Sequence, residues 1–209
     1  MKNKKSYFIT IEGVEGAGKS TAMRFIEKYL TKQNIDFVLT REPGGTEIAE
    51  AIRKVILDHY AEKMCPYTEL LLYFASRAQH VSQVIKPALD TGKWVISDRF
   101  TDASFAYQGI GRGIAEEHIA ALETWIQGDL RPDLVLILDV DAKEGLTRTK
   151  NSHALDRIES ESLDFFQRIR EYYLTKAQQN PDTYKVIDAM QATEQVEQQI
   201  INILNHAPK

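Results

Sequence analysis

Gly13-Val14-Glu15-Gly16-Ala17-Gly18-Lys19-Ser20 is the stretch whose reading decides the fold of this chain. It matches the pattern G-x-x-x-x-G-K-[ST] at every fixed position. A chance match in a chain of this length occurs in roughly one protein per hundred at average residue usage. Upstream, Tyr7–Ile11 reads as a short buried strand. Downstream, Lys19 to Gln33 carries Met23, Ile26, Tyr29 and Leu30 as a helical stripe. Strand, glycine loop and helix form the setting in which such a loop wraps backbone N–H groups around nucleotide phosphates. Residues Gly13 to Ser20 would cradle the phosphates, with Thr21 near the α-phosphate. Lys19 would reach the β- and γ-phosphates, and the Ser20 hydroxyl a magnesium ion.

Composition narrows the class. The chain has 209 residues, 43% hydrophobic, enough to bury the core of one α/β domain. A net charge of −4 argues against a nucleic-acid partner, so cations must act locally. Cys65 is the single cysteine, which fits a reducing, cytoplasmic setting. No apolar run is long enough to span a membrane. Met1–Lys5 is charged and reads as a solubilising tail rather than a signal peptide.

Further strands are expected at Phe37–Thr40, Trp94–Ser97, Leu134–Val140 and Tyr184–Ile187. Helical patterns cover Glu47–His59, Thr68–Leu89, Glu116–Gln127, Lys143–Thr149, Leu163–Gln179 and Glu194–Leu204. The alternation implies a parallel sheet flanked by helices. Gly109, Gly111 and Gly113 read as punctuating a loop, and Lys150–Arg157 as a mobile flap. Ligands of such sheets gather at the carboxyl ends of the strands. There the chain places Arg41-Glu42 and Asp98-Arg99 beside the phosphate loop.

With these residues in view, the chain resembles the thymidylate kinases. The resemblance rests on Gly13 to Thr21, Thr40–Thr46, Tyr73-Phe74-Ala75-Ser76-Arg77, Asp98-Arg99, Ser104–Gly109, Arg131-Pro132-Asp133 and Leu155–Glu159. It implies an α/β fold of the P-loop nucleoside monophosphate kinase type, with a five-stranded parallel sheet. It implies a single domain over 1–209 with a lid near 148–159, and a homodimer. The reaction implied is transfer of the γ-phosphoryl group of ATP to dTMP with Mg2+, giving dTDP. Another nucleoside or deoxynucleoside monophosphate kinase is the alternative. A GTPase switch is disfavoured by the absence of Asn-Lys-x-Asp.

The resemblance also implies roles. Arg99 would hold the acceptor phosphate, aided by Arg53 and Arg41, since a guanidinium grips phosphate bidentately. Asp98, at the end of a buried strand, would orient magnesium waters or the acceptor phosphate. Glu15 would accept a hydrogen bond from the acceptor's 3′-hydroxyl, and Glu42 would line the junction of the two substrates. Either Tyr73 or Phe74 would stack on thymine. Arg77 would donate to a thymine carbonyl, and Gln108 or Ser104 would read the pyrimidine edge. Tyr107 would crowd a 2′-hydroxyl. Where one subgroup has arginine in the loop, this chain has Gly16, so the lid is expected to supply the transition-state cation. Arg157 is the first choice, then Arg148 and Lys150.

Overall fold

The computed structural model of the chain describes residues 6–152 and 154–207. The Met1–Lys5 tail lies outside the described residues, as does His153 within the expected flap. Strands and helices alternate: β1 (Tyr7–Glu12), α1 (Lys19–Lys32), β2 (Phe37–Arg41), α2 (Glu47–Leu57), α3 (Pro66–His80) and α4 (Lys86–Asp90). There follow β3 (Trp94–Asp98), α5 (Thr101–Ser104), α6 (Glu116–Gln127), β4 (Leu134–Asp139) and α7 (Ala142–Lys150). The chain continues through α8 (Leu163–Gln179), β5 (Tyr184–Asp188) and α9 (Thr193–Asn205).

The five strands form one parallel sheet in the order β2-β3-β1-β4-β5. Leu134 to Leu138 is buried throughout, because β4 is covered on both faces. The main core joins β1, β3 and β4 to Ile26 and Leu30 of α1, Phe166 and Ile169 of α8, and Ile200 and Leu204 of α9. Among the described residues no helix is long and apolar enough to cross a membrane.

Two segments depart from expectation. Thr68–Leu89 is not one regular helix: a π-helical turn at Val81–Ile85 separates α3 from α4. Pro87, in the first turn of α4, has no N–H to give back to the preceding turn, so the ladder is interrupted there. The second departure is larger. Gly109 and Gly111, expected with Gly113 to punctuate a loop, lie instead in Phe105–Gly111, a π-helical continuation of α5. It carries Tyr107 and Gln108 on a helical wall packed against α8.

Candidate active site

Parallel register brings three strand ends to one edge. Asp98 pairs with Ile11 on one side and Arg41 on the other. The residues just beyond (Gly13 onward, Glu42 and Arg99) therefore meet around a common cavity. It is lined by Glu15, Lys19, Arg53, Tyr73, Asp98, Arg99, Tyr107 and Gln108, among others.

The phosphate loop runs from Gly13 to the start of α1 at Lys19. Lys19 is buried, with Nζ donating to the carbonyls of Gly13 (3.3 Å) and Val14 (3.1 Å) and lying 3.8 Å from Glu15 Oε2. Burial, then the charge of Arg99, pulls its ammonium below the usual lysine range. Gly16 has a left-handed backbone, φ 71°. A Cβ there would also strike the Gly145 carbonyl of α7, and a Cβ on Gly145 would strike the Glu15 carbonyl. Gly16 and Gly145 thus pack backbone to backbone, which leaves no room for an arginine in the loop. Ser20 is exposed and Thr21 half-buried on the first turn of α1.

Arg99 is the centre of the cavity's polar chemistry. Its Nη2 donates to Glu15 Oε1 at 2.6 Å and to the Tyr107 hydroxyl at 2.8 Å. Tyr107 donates to the same Glu15 oxygen at 3.0 Å, and its ring lies 4.6 Å under the guanidinium. Burial alone would raise the Glu15 carboxyl, but Arg99 and Lys19 hold it below its ordinary value. Among the described residues, two buried atoms here have no hydrogen-bond partner, Arg99 Nη1 and Asp98 Oδ1. An unpartnered guanidinium nitrogen beside a lysine is a prepared anion seat. Arg53 reaches the rim, held by the Pro43 carbonyl at 2.9 Å. Arg41 lines the same cavity and is tied to Glu50 at 2.8 Å.

Behind the cavity lies a buried polar chain that sequence reasoning did not foresee as a unit. Thr40 Oγ1 meets His80 Nε2 at 2.6 Å, and His80 Nδ1 meets Glu42 Oε1 at 2.9 Å. Glu42 Oε2 accepts from Arg77 Nε at 2.7 Å. Arg77 also donates to Ser104 Oγ (3.0 Å) and the Phe100 carbonyl (3.1 Å). Arg77 and Ser104 are both buried and adjoin the lining residues Glu42 and Ala103.

The aromatic pair separates. Tyr73 lines the cavity. Phe74 is placed in the core with Leu70, Ile114 and Ile119, its ring 4.6 Å from the Arg77 guanidinium carbon. Phe74 is therefore corrected from candidate base-stacker to packing residue, because the helical rotation between neighbours turns it inward. Gln108 lines the cavity and donates to the buried Glu69 carboxylate at 2.9 Å.

The three expected lid cations go to three places. Arg157 is not aimed at the phosphate loop. Its Nε donates to the Ile56 carbonyl at 2.8 Å and its Nη1 to Glu69 Oε2 at 2.6 Å. This corrects its expected place: Glu69, fully buried, demands compensating charge, and Arg157 and Arg112 supply it. Lys150 is exposed at the end of α7. Arg148 joins Ala17, Gly18, Thr21, Phe25, Gln191 and Val196 in a groove on the far side of the loop. That groove, which sequence reasoning missed, has the aromatic and aliphatic lining a nucleobase requires. Beyond the loop residues Ala17, Gly18 and Thr21, its lining comes from Phe25, Arg148, Gln191 and Val196, which share no local motif.

Among the described residues no cluster of three His, Cys, Asp or Glu could cage a metal ion. The donor set that exists, the exposed Ser20 hydroxyl and the unpartnered Asp98 Oδ1, fits magnesium, which keeps water and takes phosphate oxygens.

With this geometry in place, likeness to known proteins is informative. A family model described as thymidylate kinase matches residues 11–200. The chain belongs to the thymidylate kinase family. It is 53% identical over 197 residues to a thymidylate kinase of Vesicomyosocius okutanii, covering 94% of this chain and 96% of the relative. It is equally 53% identical over 197 residues to one of Ectopseudomonas mendocina, covering 94% of each. A crystal structure of thymidylate kinase from Ehrlichia chaffeensis superposes with a TM-score of 0.78 at 34% identity, covering 96% of this chain and 98% of that one. The family fold is the same parallel sheet flanked by helices. The enzyme class it carries is that of an ATP-dependent nucleoside monophosphate kinase.

Proposed function

We propose that this chain transfers the γ-phosphoryl group of ATP to dTMP. The observation that carries the reading is the pairing of Lys19 in the phosphate loop with Arg99 across one cavity, Arg99 keeping a buried nitrogen unpartnered. Phosphoryl transfer needs positioning and charge neutralisation more than covalent help. The loop N–H groups and Lys19 hold the ATP phosphates. Arg99, with Arg53 and Arg41 at the rim, holds the acceptor phosphate. That phosphate is ionised near neutral pH, so its oxygen attacks without a protein base. Magnesium, when bound at Ser20 and through water at Asp98, neutralises charge on the phosphate oxygens.

Tyr73 is the stacking surface for thymine, and Gln108 faces the pyrimidine edge. Arg77 has hydrogen bonds at all three nitrogens, yet a guanidinium carries five N–H groups. The two that remain serve a thymine carbonyl at the base end of the cavity, beside Ser104. Glu15 fixes Arg99 and Tyr107 and takes the 3′-hydroxyl on its remaining lone pairs. The Tyr107 ring occupies the space a 2′-hydroxyl would need. Glu42 keeps Arg77 in register at the junction of the substrates.

The lid, near 148–159, closes over one kinase domain and keeps water from the γ-phosphoryl group. Arg148 and Lys150 are its cations on the ATP side. The partner is a second copy: Tyr67 and Leu71 on α3 and Trp125 on α6 are exposed, Trp125 by 80%. The setting is cytoplasmic, with neither membrane nor nucleic acid as partner. ADP release measured with ATP and each nucleoside monophosphate tests the reading. Turnover with dTMP no higher than with AMP, GMP or dCMP would remove it.

A further inference from the structure

The backbone of Arg99 is left-handed, with φ 71°. For a residue with a Cβ that conformation costs about 1–2 kcal/mol. Asn34 is the one other non-glycine residue with positive φ among those described, and asparagine tolerates it. An arginine held there requires restraint from its surroundings.

Three hydrogen bonds provide it. The Arg99 N–H donates to the Ile11 carbonyl at 3.0 Å. The Ser97 hydroxyl donates to the Arg99 carbonyl at 2.7 Å. The next N–H, of Phe100, donates to Glu12 Oε1 at 2.8 Å. Glu12 is fully buried at the end of β1, immediately before the phosphate loop. Its other oxygen accepts the Tyr173 hydroxyl at 2.7 Å. Among the described residues it lines neither the Arg99 cavity nor the groove beside Arg148. Ser97 is likewise buried completely within β3.

We propose that Glu12 and Ser97 are positioning residues, clamping the strained Arg99 backbone from both sides so that its guanidinium meets the acceptor phosphate. This rests on the reading of Arg99 as the acceptor-phosphate residue. The clamp also ties two substrates together: Glu12 leads directly into the loop that holds ATP, and its contact reaches the turn that presents Arg99. Ground-state geometry is thereby set by covalent neighbours of both subsites.

Steady-state kinetics on the full chain test this. Ser97→Ala removes one clamp. Glu12→Leu keeps the bulk but strands the Phe100 N–H. Each is expected to raise the dTMP KM about three- to tenfold, the worth of one net hydrogen bond, with the ATP KM nearly unchanged. Glu12→Gln retains an acceptor for Phe100 and is expected to restore the dTMP KM. Tyr173→Phe, which leaves the clamp intact, is expected to leave it unaltered. In an Arg99→Lys background, Ser97→Ala is expected to add little. Equal rises in both KM values, or full additivity with Arg99→Lys, would overturn the clamp. An unchanged dTMP KM in Arg99→Lys alone would instead overturn the Arg99 assignment and the clamp with it. Should Glu12→Leu fail to fold, Ser97→Ala and its double variant with Arg99→Lys decide the matter.

Discussion

Replacing Glu12 by glutamine should stabilise the protein by an amount that depends on pH. Burial, reinforced by the nearby Asp102 carboxyl and opposed by Arg99, pushes the Glu12 carboxyl from 4.5 up to about 8. Below the ordinary value, folded and unfolded chains both hold the proton and nothing is lost. From there to about pH 8 the folded state keeps a proton that the unfolded chain releases, so stability falls as pH rises. Above that both forms are ionised and the penalty is constant. At about 1.4 kcal/mol per pH unit, the penalty is roughly 3 kcal/mol at pH 7 and roughly 5 kcal/mol beyond pH 8. Glutamine cannot ionise and escapes it, while its carbonyl still accepts from Phe100. The assay is urea unfolding of both proteins from pH 5 to 9. The two stability curves should nearly meet at pH 5 and open by roughly 3 kcal/mol at pH 7. Parallel curves, or a variant less stable at pH 8, would show that Glu12 is ionised and paired in the folded protein.

Gly145→Ala should destabilise the chain and raise the ATP KM, although alanine favours a helix by about 1 kcal/mol over glycine. The added methyl strikes the Glu15 carbonyl, and a rise in Tm would contradict that contact. Arg157→Ala removes one of two arginines from buried Glu69, so unfolding should become easier by roughly 2–3 kcal/mol. The dTMP KM should rise with it, since Gln108 hangs on the same carboxylate; a collapse in kcat at unchanged stability would return Arg157 to the transition state. Tyr107→Phe loses the contacts to Glu15 and Arg99 but keeps the ring. The dTMP KM should rise about three- to tenfold with the preference for deoxyribose retained, and loss of that preference would move the selectivity to the hydroxyl.

Much of the site was legible because its motifs are local and the sheet is parallel. Gly13–Ser20, Arg41-Glu42 and Asp98-Arg99 each end a strand, and matched register aligns those ends. What stayed hidden depends on distant partners or on irregular backbone. Arg157 is fixed by Glu69, 88 residues away, which no local pattern announces. Phe105–Gly111 lacks a 3.6-residue period because it winds as a π-helix, so its glycines read as loop. Tyr73 and Phe74 differ only by the rotation of one helical step. Glu12 looks like an ordinary polar residue at a strand end until Arg99 is seen to turn left-handed above it.

Single-turnover transfer from ATP labelled at the γ-phosphorus is the most direct test of the central claim, that Lys19 and Arg99 align two phosphates for direct attack. The account predicts label on dTDP from dTMP, with none on the protein, and loss of that product in Arg99→Ala at subsaturating dTMP. A labelled phosphoenzyme, or label released only as inorganic phosphate, would contradict it.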